Sequence, residues 1–185
     1  MAESITPALA GFPAGTALET PLPLKLRGIA LRPCTASDLG FLRELYHQLR
    51  AAELARVPWP PAHKTAFLDS QFGLQHKHYL THFSSADFLL IEADGGPVGR
   101  FYLSRQAGEF LIVDISLLQQ WRNSGIGTAL IRHAQTLAQA VESSLNLHVD
   151  VTNNAARRLY QRLGFVATLQ DGPYTAMRWT AATES

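Results

Sequence analysis

The stretch Arg122-Asn123-Ser124-Gly125-Ile126-Gly127-Thr128 constrains this chain more than any other. It joins a strand-like run, Phe110 to Leu118, to a strongly helical run, Ile126 to Val141. Two glycines at a strand-to-helix junction let backbone N–H groups come close to a ligand. The first turn of a helix adds unpaired N–H donors and the positive end of the helix dipole. Together they form a cradle for phosphate oxygens. Alone, a strand-Gly-x-Gly-helix pattern is weakly specific. Here a second segment follows it, Asn153 to Phe165, and the pair is far more specific.

The surrounding pattern is mixed α/β. Gly28 to Leu31 reads as a first strand. Thr35-Ala36-Ser37-Asp38 caps a helix carrying Leu39, Leu42, Leu45 and Leu49, which ends at the proline-rich Val57 to Pro61. A second helix runs from Pro61 to about Phe83. Its Leu68, Phe72, Tyr79 and Phe83 share one stripe, beside a polar stripe of Gln71, Gln75, His78 and His82. That polar stripe is either a solvated flank or a wall of a substrate cleft. Phe88 to Ala93 and Val98 to Leu103 form a hairpin around Asp94-Gly95-Gly96-Pro97. The nearly continuous apolar run Phe110 to Val113 suits a strand covered on both faces. Leu145 to Val151, a short helix to Leu163, and strands at Phe165–Thr168 and Thr175–Trp179 complete the order β-α-α-β-β-β-α-β-α-β-β. The fold expected is α/β, with a largely antiparallel sheet flanked by helices.

At 185 residues, 46% hydrophobic and 17% charged, the chain has the material for one core. Residues 1–23 read as a poorly ordered tail or a surface arm, 24–180 as the folded domain and 181–185 as a C-terminal tail. A net charge of +1 gives no electrostatic case for nucleic acid or an anionic membrane. No apolar run approaches a bilayer span. The single cysteine, Cys34, reads as a small buried residue, and it makes a reducing cytoplasm the default location.

Three features coincide: a strand ending Leu117-Leu118, then Arg122-x-x-Gly125-x-Gly127, then Asn153, Ala156, Leu159, Tyr160, Gly164 and Phe165 spaced as N-x-x-A-x-x-L-Y-x-x-x-G-F. This resembles the GNAT superfamily of acetyl-CoA-dependent N-acetyltransferases, over roughly Leu26 to Trp179. The chain departs from the usual pattern at Gln119, where proline is common, and at Asn123 and Ser124, where glycine and a basic residue are frequent. The resemblance implies a GNAT fold, its sheet splayed between the strands preceding Arg122 and Asn153. It also implies direct acetyl transfer to an amine within a ternary complex. A non-catalytic CoA-binding or sensor module is the alternative. The acceptor stays open among small amines, peptides and protein N-termini, and a homodimer is compatible because dimers are common in the superfamily.

By the same resemblance, the segment Arg122, Asn123, Ser124, Gly125, Ile126, Gly127 and Thr128 holds the donor's pyrophosphate. Leu117, Leu118 and Gln119 meet the pantetheine arm, and an N–H near Leu117 polarises the thioester carbonyl. Asn153 bonds the arm or simply caps its helix, and Ala156 follows in the same motif. Tyr160 protonates the leaving thiolate or is a core aromatic. An acceptor amine of pKa about 10.4 arrives protonated and needs a base. Asp114, a lone carboxylate inside Val113-Asp114-Ile115, is that base or makes a structural hydrogen bond. Glu109 and His148 are weaker candidates, and His148 reads as a satisfied core histidine. Gln75 and His78 are candidate acceptor contacts. His78 and His82 have metal-ligand spacing, but no third ligand is evident and no metal is expected.

Overall fold

The computed structural model describes residues 9–14 and 18–181. The remaining parts of the expected tails, 1–8, 15–17 and 182–185, lie outside the described residues. The elements in chain order are α1 (Leu22–Lys25), β1 (Ala30–Pro33), α2 (Leu39–Leu54), α3 (Pro61–His82), β2 (Asp87–Ala93), β3 (Gly96–Gln106) and β4 (Glu109–Leu117). They continue with α4 (Ile126–Ala140), β5 (Ser144–Asp150), α5 (Asn154–Arg162), β6 (Val166–Asp171) and β7 (Tyr174–Trp179). Seven strands form one sheet in the order β1-β2-β3-β4-β5-β7-β6, antiparallel except for β4 beside β5. No helix among the described residues is long and apolar enough to cross a membrane.

Strand alternation sends successive side chains to opposite faces, so the sheet builds two cores. Leu89 and Ile91 of β2 and Phe101 and Leu103 of β3 join Ile126, Leu130 and Ala134 of α4. Phe88, Leu90 and Tyr102 join Leu42 and Tyr46 of α2 and Leu68 and Phe72 of α3 on the other face. The helices form because their apolar residues recur at helical spacing, and α3 begins with proline in its first turn, where no backbone N–H is needed.

One irregularity shapes the rest. The β3–β4 register shifts between Tyr102 and Leu103: Tyr102 faces Asp114, Leu103 faces Ile112, and Val113 is the extra residue. Phe110 and Ile112 therefore point to the α4 core, as do Ile115 and Leu117 beyond the bulge, while Val113 packs on the other side. The bulge reverses the parity of the strand and turns Asp114 and Ser116 out of the α4 core. Pairing of β4 with β5 also stops there, its last partners being Ile112 and Leu147. Beyond that point the two parallel strands diverge. The run Phe110 to Val113, expected to be covered on both faces, is fully covered only on the α4 side; on the other, Val113 packs partly against the second core and both Leu111 and Val113 border an open cleft.

Residues 9–14 and 18–25 lie as a packed arm. The Phe12 ring contacts those of His76, Phe88 and Tyr102. Leu18 is buried among the α4-side core residues, and Thr20 Oγ1 accepts a 2.7 Å hydrogen bond from the Leu31 N–H.

Candidate active site

The divergence of β4 and β5 opens a cleft of about 800 Å³. Its walls include Asp114, Ile115 and Ser116 from β4, His148 and Asp150 from β5, and Tyr160 from α5. Gln75, His78 and Tyr79 of α3 close one side, and Arg50 and Glu53 of α2 lie further out. Of the four-residue polar stripe on α3, the cleft takes in Gln75 and His78, while Gln71 and His82 lie outside its lining. His148 is exposed and faces this opening, so the expectation of a core histidine is corrected. The reason is the face it takes: Leu145, Leu147 and Val149 point into the α4 core, so His148, between them, turns to the opposite face and into the cleft.

Asp114 sits at the floor. Its Oδ2 accepts hydrogen bonds from an Arg100 Nη at 2.6 Å and from the Tyr79 hydroxyl at 2.9 Å; its Oδ1 accepts from the Ser116 hydroxyl at 2.6 Å. The Arg100 side chain is 3% exposed and that of Asp114 11%. The same Arg100 Nη also donates to Gln75 Oε1 at 2.9 Å, and the guanidinium lies over the rings of Tyr79 and Tyr102, at 5.8 and 5.4 Å. Burial is the largest single influence and opposes its charge, but Asp114 together with Tyr102 and Tyr79 raises its pKa above the ordinary arginine value. Burial and the Asp114 charge push the Tyr79 phenol well above its usual range, so it remains a donor.

Sequence reasoning found Asp114 but missed Arg100. The signal was the same for both: a charged residue inside an apolar strand, here Val98-Gly99-Arg100-Phe101-Tyr102-Leu103. Their partnership follows from the β3–β4 pairing, in which Arg100 lies opposite Ser116 and Tyr102 opposite Asp114.

Tyr160 is buried in α5 and its ring packs 5.9 Å from that of Phe165. Burial, reinforced by the Asp114 charge, pushes its phenol up to about 12. It is thus protonated across the neutral range and lines the cleft. Asn153 caps α5, its side-chain oxygen accepting from the Ala156 N–H at 3.1 Å, and it also lines the cleft.

The glycine turn lies beyond the end of β4, outside the cleft lining. The Leu118 N–H donates to Val98 O at 2.9 Å. Consecutive strand N–H groups point to opposite edges, so that of Leu117 faces the splay. Gln119 begins a short 3₁₀ turn, Gln119–Trp121. Arg122 Nε donates to Leu117 O at 3.2 Å, and the Ser124 hydroxyl to Trp121 O at 2.6 Å, so both side chains brace the loop. Asn123 and Gly125 take left-handed backbone, φ 58° and 83°. Gly125 is the N-cap of α4 and gives it no side-chain cap, leaving the first-turn N–H groups of Ile126, Gly127 and Thr128 without intrahelical acceptors. Gly127 is different: a Cβ there would meet only Ile115 Cδ1, at an ordinary 3.8 Å. Neither backbone conformation nor packing among the described residues demands a glycine at that position.

Other candidates separate from this site. Cys34 is buried, and desolvation pushes its thiol up to about 12, which removes it as a nucleophile. His76 Nε2 donates to Ala10 O at 2.7 Å in the core. His78 stacks on His82 at 4.2 Å.

The sequence model of the acetyltransferase (GNAT) family matches residues 44–165. The chain belongs to the GNAT family of acetyltransferases. Solved structures agree in fold with this GNAT chain. One is the PaiA N-acetyltransferase of Thermoplasma acidophilum in complex with coenzyme A, at 18% identity and TM-score 0.63, covering 83% of this chain and 99% of that one. Another is a histone acetyltransferase and related acetyltransferase from Corynebacterium glutamicum, at 20% identity and TM-score 0.60, covering 85% and 99%. A third is a chimera of the spermidine N-acetyltransferase SpeG of Vibrio cholerae with hSSAT, at 20% identity and TM-score 0.56, covering 83% and 95%.

Proposed function

We propose that this GNAT protein moves an acetyl group from acetyl-CoA to a primary amine by direct attack in a ternary complex. The observation that carries the donor side is Gly127. It stands in the uncapped first turn of α4, where nothing among the described residues requires a glycine. A missing side chain beside unpaired N–H groups suits a ligand whose phosphate oxygens come within hydrogen-bond reach. Arg122, Asn123, Ser124 and Gly125 shape that loop, and Leu117, Leu118, Gln119 and Asn153 border the path for the pantetheine arm. In the cytoplasm, where a lone buried thiol stays reduced, acetyl-CoA is the natural donor.

The remaining chemistry falls to the cleft. The Leu117 N–H, directed into the splay, stabilises negative charge developing on the thioester oxygen. Tyr160, held protonated by burial, gives its proton to the leaving thiolate. Asp114 is the carboxylate that receives the acceptor's proton. Gln75 and His78 stand on the acceptor side, where neutral amide and imidazole groups hydrogen-bond an amine without fixing a charge. A phenol and a carboxylate, Tyr160 and Asp114, open onto the same cleft, and that pairing supports catalysis over a CoA-binding module.

The experiment is release of free CoA from acetyl-CoA with a panel of amines, paired with calorimetry on Gly127→Val. The β-branched side chain should lower acetyl-CoA affinity at least tenfold, about 1.4 kcal/mol, in a folded protein. Unchanged affinity would remove the cradle. Tight donor binding without CoA release to any amine would move the reading to the sensor module.

A further inference from the structure

The acceptor's proton has no direct way to the more heavily bonded oxygen of Asp114. That oxygen, Oδ2, already accepts from Arg100 and Tyr79. The other oxygen, Oδ1, accepts from Ser116, whose hydroxyl lines the cleft and stands 2.6 Å away. Ser116 immediately precedes Leu117, whose N–H faces the thioester end of the splay. Strand alternation puts Asp114 and Ser116, two residues apart, on the same face, and the bulge at Val113 turns that face out of the α4 core. A serine hydroxyl has one donor and two acceptor lone pairs. Its donor is committed to Asp114, which leaves its oxygen to accept from a group in the cleft.

We propose that Ser116 is a catalytic proton relay between the acceptor amine and Asp114, an inference that rests on the acetyl-transfer reading. The acceptor ammonium's N–H bond breaks and a new O–H bond forms on Ser116 Oγ. Ser116's original O–H bond breaks, and its proton goes to Asp114 Oδ1. The nitrogen recovers its lone pair for attack, the serine ends as a hydroxyl and the carboxylate ends neutral. Ammonium and carboxylate are thus converted to amine and carboxylic acid with no other reactant.

Three donors converge on the carboxylate, and Oδ1, which carries only the serine bond, is the oxygen left to take the proton. From β3, Arg100 is supported by Gln75 and by the faces of Tyr79 and Tyr102 as well as by Asp114, so its charge keeps partners when Asp114 is neutral. From α3, the Tyr79 hydroxyl keeps its proton at neutral pH and donates its hydrogen bond to Oδ2. From α5, Tyr160 is protonated until about pH 12. His148 of β5 and His78 of α3 line the same cleft, but among the described residues neither is hydrogen-bonded to Asp114 or Ser116.

The test compares wild type, Ser116→Ala and Ser116→Thr in steady-state kinetics with the best amine, with a solvent-isotope proton inventory and donor calorimetry. Ser116→Ala should lower kcat/KM roughly 100-fold, in the range of lost acid–base help, with donor Kd unchanged. Ser116→Thr, which keeps a hydroxyl and suits a strand, should recover most of the rate. The inventory should bow in wild type, with two protons in flight, and straighten in the alanine variant. A Ser116→Ala enzyme as fast as wild type overturns the relay while leaving acetyl transfer standing. So does a loss that threonine does not restore, or one matched by weaker donor binding, since either makes Ser116 a packing or donor-site residue. A wild-type protein that acetylates no amine overturns the acetyl-transfer reading and the relay with it.

Discussion

A phenol pushed up to about 12 keeps its proton at neutral pH, so toward a thiolate it acts as a donor and not as a base, though as a weaker acid than an ordinary tyrosine. The hydroxyl of Tyr160 is needed only as negative charge reaches the sulfur, so its removal should be felt in kcat rather than in donor binding. Tyr160→Phe is expected to lower kcat roughly tenfold or more, with acetyl-CoA Kd by calorimetry within about twofold of wild type. Because the pKa is raised, the wild-type rate profile should show no basic limb from this group through pH 9, and the phenylalanine variant should keep the same profile shape. A fall in thermal midpoint with kcat intact would make Tyr160 a core aromatic only. At this scale the sequence was informative where a residue broke its local pattern. Tyr160 stood in register with Asn153 and Gly164, and Asp114 interrupted an apolar strand. Arg100 broke its strand in the same way, but what it does depends on a partner 14 positions away in the chain. Local spacing carries no record of an antiparallel register.

The element that makes the cleft is the bulged strand β4. Its parity change is written in the sequence once the bulge is known: the inward apolar residues are Phe110 and Ile112, then Ile115 and Leu117. Read without it, the same stretch is simply an apolar strand, which is why coverage on both faces was expected. The splay is held from the other side by β3, where Gly99 pairs with Leu117. A Cβ on Gly99 would run into the Ser116 carbonyl oxygen and lie 3.2 Å from Leu117 Cα. Both atoms belong to the backbone and cannot rotate away. Gly99→Ala should therefore force β3 and β4 apart at the end that carries the Leu117 N–H. Overpacking of this kind costs about 1–3 kcal/mol, readable as a lower midpoint in urea. The same variant should lose acetyl-CoA affinity or turnover, because the displaced segment leads into the glycine turn. A destabilised variant with unaltered kcat and donor affinity would show that the site tolerates movement of β4.

At the scale of the whole molecule, most helices and strands from Leu39 to Trp179 were legible because they bury a periodic face, while β6, exposed along its length, was marked only by the turn residues Asp171-Gly172-Pro173 that close it. The arm at 9–14 and 18–25 was not, because it has no period and takes its conformation from what it covers. Phe12 lies against Phe88 and Tyr102 of the sheet and His76 of α3. The carbonyl of Ala10 satisfies the buried His76 Nε2–H. The arm thus completes the α2/α3-side core a short distance behind the Arg100–Asp114 floor, with Tyr102 touching both Phe12 and the Arg100 guanidinium. Truncating a half-buried aromatic removes roughly 2 kcal/mol of apolar burial. For a chain of this size that corresponds to a drop of about 4–8 °C in Tm. Phe12→Ala should show that drop in thermal unfolding while keeping kcat at 25 °C, since Phe12 stands behind the cleft floor rather than in its lining. If the midpoint does not move, the arm only rests on the surface. If kcat falls along with Tm, the arm also supports the ion pair at the cleft floor through Tyr102, and the core behind the site and the site itself act as one unit.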